Sequence, residues 1–235
     1  ITQPMIEIEI AGPGKNALGS ELMRSLLDQI RAAEGAPLLL RGAGDAFSAG
    51  LNLKEVVSLD QQEMETFLRL LVELTTTLFE YPGPTVALVD GHAIAGGCIL
   101  ALCCDYKVGA DNPKARIGLN EVGLGLRFPP RLLKLLRYVV PRLEPVILHA
   151  GLYGPEKALA LGLLDEVCED AEERAKAYLG ALAKHPAEAY AVAKRDLRAG
   201  ATDVDEADEQ AFIAEVVPTW TSDELRARIN KLLGR

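Results

Sequence analysis

Two stretches of the chain have the order strand, glycine-rich loop and helix, and this repetition limits the possible folds more than any other feature. The first stretch begins with an apolar run at 38–40, continues through a loop of small residues that ends at Gly50, and is followed by an amphipathic helix at 61–80. The second begins with a β-rich apolar run at 85–89, continues through 91–97 and enters a compact apolar helix at 98–104. This order is typical of parallel strands joined by crossover helices, so the sequence predicts an α/β fold.

Hydrophobic periodicity predicts the remaining elements. Apolar and acidic residues alternate at 5–10, which indicates a strand, and a helix is predicted to begin at Gly19. Further strands are predicted at 106–110, 115–118 and 164–167. Beyond Pro130 the pattern is mainly helical, with helices predicted from about 155 and at 171–184, 187–198, 204–217 and 221–234. We predict a core at 1–170, which holds the active site, and a C-terminal helical region at 171–235.

Charge and composition exclude several classes of function. The net charge is −9, whereas a nucleic-acid-binding protein needs a basic face. No apolar run approaches the ~20 residues of a membrane-spanning helix. We also see no basic segment followed by an apolar block, the pattern that would indicate a signal peptide. The four cysteines lack CxxC spacing, so we expect buried thiols and no metal site. Neither glycine loop has a dinucleotide or P-loop pattern.

The pair Gly96-Gly97 opens the helix of the second stretch. Glycines at a helix N-terminus leave backbone N–H groups exposed, and such groups stabilise developing negative charge. Close packing of the helix on a sheet requires small residues equally well, so the pair alone leaves both interpretations open. The first loop, at 47–51, is a candidate for a second N–H donor.

Taken together, the two loops resemble those of the crotonase (enoyl-CoA hydratase/isomerase) superfamily. The resemblance rests on 39–42 running into 47–54 and on 84–98 continuing to Asp105. It implies a spiral core of ββα units with a C-terminal helical region that helps to build a homotrimer or a dimer of trimers. It also implies an acyl-CoA thioester substrate, with coenzyme A as part of the substrate and no separate cofactor. A bacterial protein of this kind would be cytoplasmic, and a eukaryotic one would lie in the mitochondrial matrix.

The resemblance assigns roles to four residues of the loops. The backbone N–H groups of Leu51 and Gly96 correspond to the oxyanion donors. The backbone of Ala49 corresponds to the adenine contact, and Lys54 could meet the CoA phosphates, although an ordinary solvated lysine is an equally good interpretation. Asn52 stands where the family usually has Asp, a change that we expect to affect loop packing more than chemistry.

The acid–base residues decide the reaction. Hydratases of the family use two glutamates, and the first of these positions is Ile99 here, whereas the second is Glu121. One carboxylate and one oxyanion hole are enough to move a double bond. The segments 104–113 and 117–125 also resemble the mitochondrial-type Δ3,Δ2-enoyl-CoA isomerases, so we predict that activity. The alternatives are dienoyl isomerisation, thioester decarboxylation, weak hydration, or a non-catalytic acyl-CoA-binding protein.

Three further features receive weaker interpretations. His92 lies next to the glycine loop, and we interpret it as a structural side chain. The helical stripe of Met64, Phe67, Leu68 and Leu71 could line an acyl tunnel, with core packing as the simpler alternative. The segment 127–130, Arg-Phe-Pro-Pro, departs from the familiar pattern, and we expect it to influence the preference for the acyl group.

Overall fold

The computed structural model describes residues 4–234. Its strands are β1 (Ile6–Ile10), β2 (Leu38–Gly42), β3 (Ala46–Ser48), β4 (Thr85–Val89), β5 (His92–Ile94), β6 (Tyr106–Ala110), β7 (Ile117–Gly118) and β8 (Glu166–Cys168). The first helices are α1 (Pro13–Asn16), α2 (Ser20–Ala32), α3 (Leu53–Val56), α4 (Gln61–Phe79), α5 (Gly96–Cys103), α6 (Glu121–Leu124) and α7 (Pro130–Val139). The remaining helices are α8 (Leu143–His149), α9 (Pro155–Ala160), α10 (Ala171–Leu182), α11 (Ala187–Arg198), α12 (Glu206–Trp220) and α13 (Asp223–Leu232).

The strands form two parallel sheets, and from β2 to β8 consecutive strands alternate between them. The larger sheet has the order β1-β2-β4-β6-β8, and the smaller has the order β3-β5-β7. Thus β2, β4 and β6 each lie in the larger sheet, and the strand that follows each of them turns into the smaller one. A helix follows each of these strand pairs, so the unit ββα repeats along the chain. This arrangement confirms the predicted α/β class and the spiral core.

The main core lies between the larger sheet and the helices that follow its strands. The stripe of α4 is buried there as predicted, with Met64, Phe67 and Leu74 each no more than 1% exposed. A capping box of Asp60 and Glu63 fixes the start of this helix, because each side chain satisfies a backbone N–H of the other residue. The opposite face of the sheet packs against α10, so apolar side chains cover both faces.

Several predicted boundaries are wrong, and the errors fall in the glycine-rich segments. The loops predicted at 42–50 and 91–97 contain the three-residue strands β3 and β5, and α5 begins at Gly96, two residues earlier than predicted. The strand predicted at 115–118 is only Ile117–Gly118, and the one at 164–167 lies at Glu166–Cys168. Strands this short carry too few residues for a periodic signal, so tertiary pairing decides them. The four C-terminal helices are confirmed, with shifted ends.

Ion pairs attach α11 to the sheet. Lys194, 8% exposed, is the buried residue of this helix, and its Nζ lies 2.8 Å from Oδ1 of Asp105. The Arg198 guanidinium also lies 2.8 Å from Oδ1 of Asp105, and the Tyr190 hydroxyl donates to Oδ2 at 2.8 Å. Burial lowers the pKa of Lys194, and the attraction of Asp105 opposes this effect. The position of the helix therefore depends on a desolvated charge cluster centred on Asp105.

Two kinds of feature are absent from residues 4–234. None of the helices in this range combines the length and apolar character needed to cross a membrane. The same residues contain no group of three or more His, Cys, Asp or Glu side chains arranged to hold a metal ion.

Candidate active site

A cavity of about 140 Å³ lies where the first glycine loop, the start of α5 and the start of α6 meet. Glu121, the first residue of α6, lines it and is only 8% exposed. The rest of the lining is mainly apolar, and Trp220 and Leu232 belong to it from the C-terminal helices. The predicted residues Ala49, Leu51 and Gly96 line the same cavity. Tertiary structure thus brings together the predicted site residues, which are up to 72 positions apart, from Ala49 to Glu121.

The first loop is held by backbone pairing with the segment that precedes α2. The Leu18 N–H donates to the Gly50 carbonyl at 2.7 Å, and the Asn52 N–H donates to the Leu18 carbonyl at 3.0 Å. Gly50 has φ +89°, and a Cβ there would lie 2.7 Å from the Ile94 carbonyl oxygen and 3.5 Å from the Gly96 nitrogen. Only glycine permits this contact between the two loops. Among residues 4–234, no backbone carbonyl accepts the Leu51 N–H.

The second loop turns sharply into α5 at Ala95. This residue has φ +50° and ψ −122°, an uncommon conformation for a residue with a Cβ. Its N–H donates to the Gly118 carbonyl at 2.8 Å and its carbonyl accepts from the Ile99 N–H at 2.9 Å, which together hold the turn. Gly96 then begins the helix, and within the described chain no backbone carbonyl accepts its N–H.

The two glycines that open α5 have different surroundings. A Cβ on Gly97 would overlap the Ser48 backbone, whereas a Cβ on Gly96 would meet only leucine side chains, at 3.3 Å and 3.4 Å. Close packing therefore requires Gly97, and it does not account for the free N–H of Gly96. Free N–H groups at a helix N-terminus favour an anionic oxygen, so the residues Leu51 and Gly96 together can bind one.

A left-handed turn that the sequence analysis passed over supports the first loop. Asn16 is 3% exposed with φ +60°, and its Nδ2 donates to the carbonyls of Ala43 and Ala46, both at 2.8 Å. The Ala49 N–H donates to the Lys15 carbonyl at 3.0 Å, so the turn also fixes the loop directly. The pattern Gly-Lys-Asn indicates a chain break, but nothing local in it marks a buried amide, because its partners lie about 30 residues away.

Glu121 is a buried carboxyl without compensation from a cation. Its Oε2 atom has no hydrogen-bond partner among the described residues. Burial raises the pKa of Glu121 to about 7, and a hydrogen bond from its own backbone lowers it only in part. The neighbouring Asn120 also leaves its buried Oδ1 unpartnered within residues 4–234. A carboxyl with a pKa near neutrality can both accept and return a proton.

Ile99 lines the same cavity and is 2% exposed. It therefore contributes an apolar side chain to the cavity that Glu121 also lines. Of the described residues that line the cavity, Glu121 is the sole carboxylate. The site has one acid–base group where two carboxylates would be needed to activate water and protonate carbon.

Two other candidates from the sequence, Lys54 and His92, lie outside the Glu121 cavity. Lys54 is absent from the Glu121 cavity and lines a neighbouring one of about 220 Å³, which shares Ala49, Leu51 and Leu53 with it. The imidazole Nδ1 of His92 accepts the Arg116 N–H at 3.1 Å, a structural contact.

The structure also specifies the roles of the α4 stripe and of Asn52. In the α4 stripe Leu71 lines the Glu121 cavity, whereas Met64 and Phe67 pack in the core. Asn52 accepts from the Glu55 N–H at 3.4 Å and so caps α3.

Both the sequence and the fold of this chain match those of known proteins. A family model described as enoyl-CoA hydratase/isomerase matches residues 1–227. The chain belongs to the enoyl-CoA hydratase/isomerase family. The structure of human mitochondrial delta3-delta2-enoyl-CoA isomerase matches with a TM-score of 0.91 at 25% identity, covering 100% of this chain and 96% of that one. The fold is therefore that of the crotonase superfamily.

Curated relatives in the enoyl-CoA hydratase/isomerase family include both isomerases and hydratases. Mouse mitochondrial enoyl-CoA delta isomerase 1 is 33% identical over 178 residues, which are 72% of this chain and 61% of the mouse protein. A probable enoyl-CoA hydratase of Mycobacterium tuberculosis, EchA17, is 31% identical over 204 residues, covering 83% of this chain and 76% of that protein. The chain thus spans about three fifths of the mouse relative. Both reactions thus occur among relatives of similar identity to this chain.

Proposed function

We propose that this protein is an enoyl-CoA isomerase that moves a double bond from C3 to C2 of an acyl-CoA thioester. The observation that carries the proposal is the lone carboxylate, Glu121, in an apolar cavity where Ile99 occupies the place of a second one. Its raised pKa suits a group that must accept a proton from carbon and return it.

The reaction needs two proton transfers and no water. The Glu121 carboxylate takes a proton from C2 of the 3-enoyl thioester, and the electron pair of the C2–H bond delocalises over the thioester oxygen and C4. The N–H groups of Leu51 and Gly96 donate to this oxygen and stabilise the dienolate. The protonated Glu121 then returns a proton to C4, which leaves the double bond between C2 and C3. Atoms and charge balance without a cofactor.

The rest of the substrate would occupy the neighbouring cavity. Ala49 lies on the boundary between the two cavities and Lys54 lies at the outer one, which supports a path for the pantetheine chain with the lysine near a CoA phosphate. Coenzyme A would thus enter only as part of the substrate. We further propose the homotrimer, or the dimer of trimers, that the family resemblance implies.

The test is an assay of 3-enoyl-CoA and 2-enoyl-CoA with wild-type protein and Glu121→Gln. We expect double-bond migration on the 3-enoyl substrate, little hydration of the 2-enoyl substrate, and loss of at least a thousandfold in kcat for the variant, because its amide cannot accept the proton. Glu144→Gln, at an exposed carboxylate in the first turn of α8, is the matched control and should retain activity.

Other outcomes would assign a different function. Fast hydration of 2-enoyl-CoA, or turnover only of dienoyl or malonyl-type thioesters, would replace isomerisation by another reaction of the family. Tight binding of acyl-CoA without turnover of any of these thioesters would indicate a binding protein.

A further inference from the structure

A second apolar cavity lies beside the proposed catalytic one and has no part in the mechanism above. It is a groove of about 260 Å³ between α4, α12 and the start of α7. Its apolar walls are Leu68, Val72, Pro129, Phe212 and Ile213. We call it the α4–α12 groove.

The α4–α12 groove lies next to the Glu121 cavity. Pro129 lines both. On α4, Leu71 lines the Glu121 cavity and the next residue, Val72, lines the groove. Successive residues of a helix point about 100° apart, so one turn of α4 presents a side chain to each space.

The segment 126–129, which contains the unfamiliar Arg-Phe-Pro of the sequence, lines the Glu121 cavity and reaches the groove at Pro129. Phe128 is half-buried and lines the Glu121 cavity. Arg127 reaches across to α12, where it pairs with Glu215 at 3.0 Å and lies 5.5 Å from the centre of the Phe212 ring. This segment follows Gly125, which has φ +76° at the end of α6, and it leads into α7, which begins at Pro130.

The charges at the rim of the groove indicate which ligands it can accept. Four charged residues line the groove, and each already has a partner of opposite sign. The pairs are Arg69 with Glu65 at 2.9 Å, Glu73 with Arg31 at 2.6 Å, and Arg131 with Glu209 at 2.7 Å. No charge is left over for an ionic ligand among the described residues of the rim, whereas the apolar walls suit a hydrocarbon.

We propose that the α4–α12 groove is the distal compartment for the acyl chain, so that the protein acts on long, unbranched acyl thioesters. The chain would run from Glu121 past Phe128 and over Pro129 into the groove. The Glu121 cavity alone is smaller than ordinary ligand sites, whereas the two spaces together reach their range of roughly 300–1,000 Å³. This inference rests on the proposed function for the position of the thioester.

Binding of saturated acyl-CoA thioesters tests the compartment without any turnover. Calorimetry would compare butanoyl-, octanoyl-, dodecanoyl- and hexadecanoyl-CoA on the wild type and on Val72→Trp and Ile213→Trp, which fill the groove from opposite walls. Gln62→Trp, at an exposed position of α4 outside the groove, is the matched control.

The groove predicts a particular dependence on chain length. Each methylene that leaves water contributes about fourfold in affinity, so the wild type and Gln62→Trp should bind hexadecanoyl-CoA far more tightly than octanoyl-CoA. Both groove variants should level off at octanoyl-CoA, with at least tenfold weaker hexadecanoyl-CoA binding and unchanged butanoyl-CoA binding.

Two results would overturn the inference. One is equal affinity of the wild type for octanoyl- and hexadecanoyl-CoA. The other is that both groove variants show the wild-type dependence of affinity on acyl chain length. If sedimentation then showed a change in the subunit number of these variants, the groove would be an interface between copies of the chain. If 3-enoyl-CoA proved inert in the assay above, the proposed reaction would fail while this binding profile stayed readable.

Discussion

Gly97 and Ser48 join the two loops of the site by direct backbone contact. A Cβ on Gly97 would overlap the Ser48 carbonyl oxygen and lie 2.7 Å from the Ser48 Cβ. Since β3 ends at Ser48 and the first loop begins there, the start of α5 cannot move relative to that loop without opening this contact. The separation of the Leu51 and Gly96 N–H groups therefore depends on Gly97, which is not one of the two proposed donors.

The first prediction compares glycine substitutions. Gly97→Ala should lower the free energy of unfolding by about 1–3 kcal/mol, because the extra methyl overpacks a backbone contact, and should reduce kcat at least tenfold by displacing the donors. Gly96→Ala should cost less, since leucine side chains can shift. Gly180→Ala, in open space within α10, should stabilise by up to about 1 kcal/mol. Denaturant unfolding and steady-state kinetics measure these effects, and equal stability of the Gly97 and Gly96 variants would contradict the packing argument.

The second prediction concerns the pH dependence of catalysis. Burial raises the pKa of Glu121 to about 7, and the proposed isomerisation begins with the ionised form of this residue. The value of kcat/KM should therefore rise about tenfold per unit below this pKa and level off above about pH 8. The measurement is a pH profile with 3-enoyl-CoA under conditions where the protein stays folded. An acid limb centred near the ordinary glutamate pKa would show that the carboxyl is solvated in the working enzyme.

The third prediction concerns stability and follows from the same pKa with its sign worked out. The pKa of Glu121 rises from 4.5 to about 7 on folding, so the unfolded chain loses this proton first as the pH increases. The carboxyl has no effect below its unfolded pKa, and it destabilises the fold increasingly until the pH passes about 7. Glu121→Gln should thus raise the free energy of unfolding at about pH 8 by on the order of 3 kcal/mol and have little effect near pH 4.5. Urea titrations at both pH values test this, and equal effects at the two would exclude a titrating group.

The fourth prediction concerns the charge cluster of α11. Lys194→Met should destabilise the protein by about 3–5 kcal/mol, because Asp105 stays buried with one cation fewer. Arg195→Met, on the exposed side of the same helix, should change stability by less than about 0.5 kcal/mol. Thermal unfolding compares the two. If the double variant Asp105→Asn, Lys194→Met is no more stable than Lys194→Met, the cost does not come from the loss of one of the two cations beside the Asp105 carboxylate.

Much of the architecture could be predicted from local sequence. The α4 stripe and the apolar runs of β2 and β4 fix their elements by periodicity, and the ββα repeat follows from their order. The three-residue strands could not be predicted, because their pairing depends on partners about 45 residues away. Glu121 and Ile99 could be assigned by resemblance, whereas the support that Asn16 gives to the first loop could not.

The sequence by itself determined the α/β class and the two glycine loops, and its family resemblance singled out Leu51, Gly96 and Glu121, whereas Trp220 and Leu232 join the cavity only through tertiary structure. Tertiary structure alone decided that Gly97 is required for packing while Gly96 keeps a free N–H, since the difference depends on Ser48 and not on any local pattern. It also decided the pKa of Glu121, because burial acts through the atoms that surround the carboxyl in the folded chain. Desolvation and close contact are properties of the assembled chain, so no residue carries them in its sequence position.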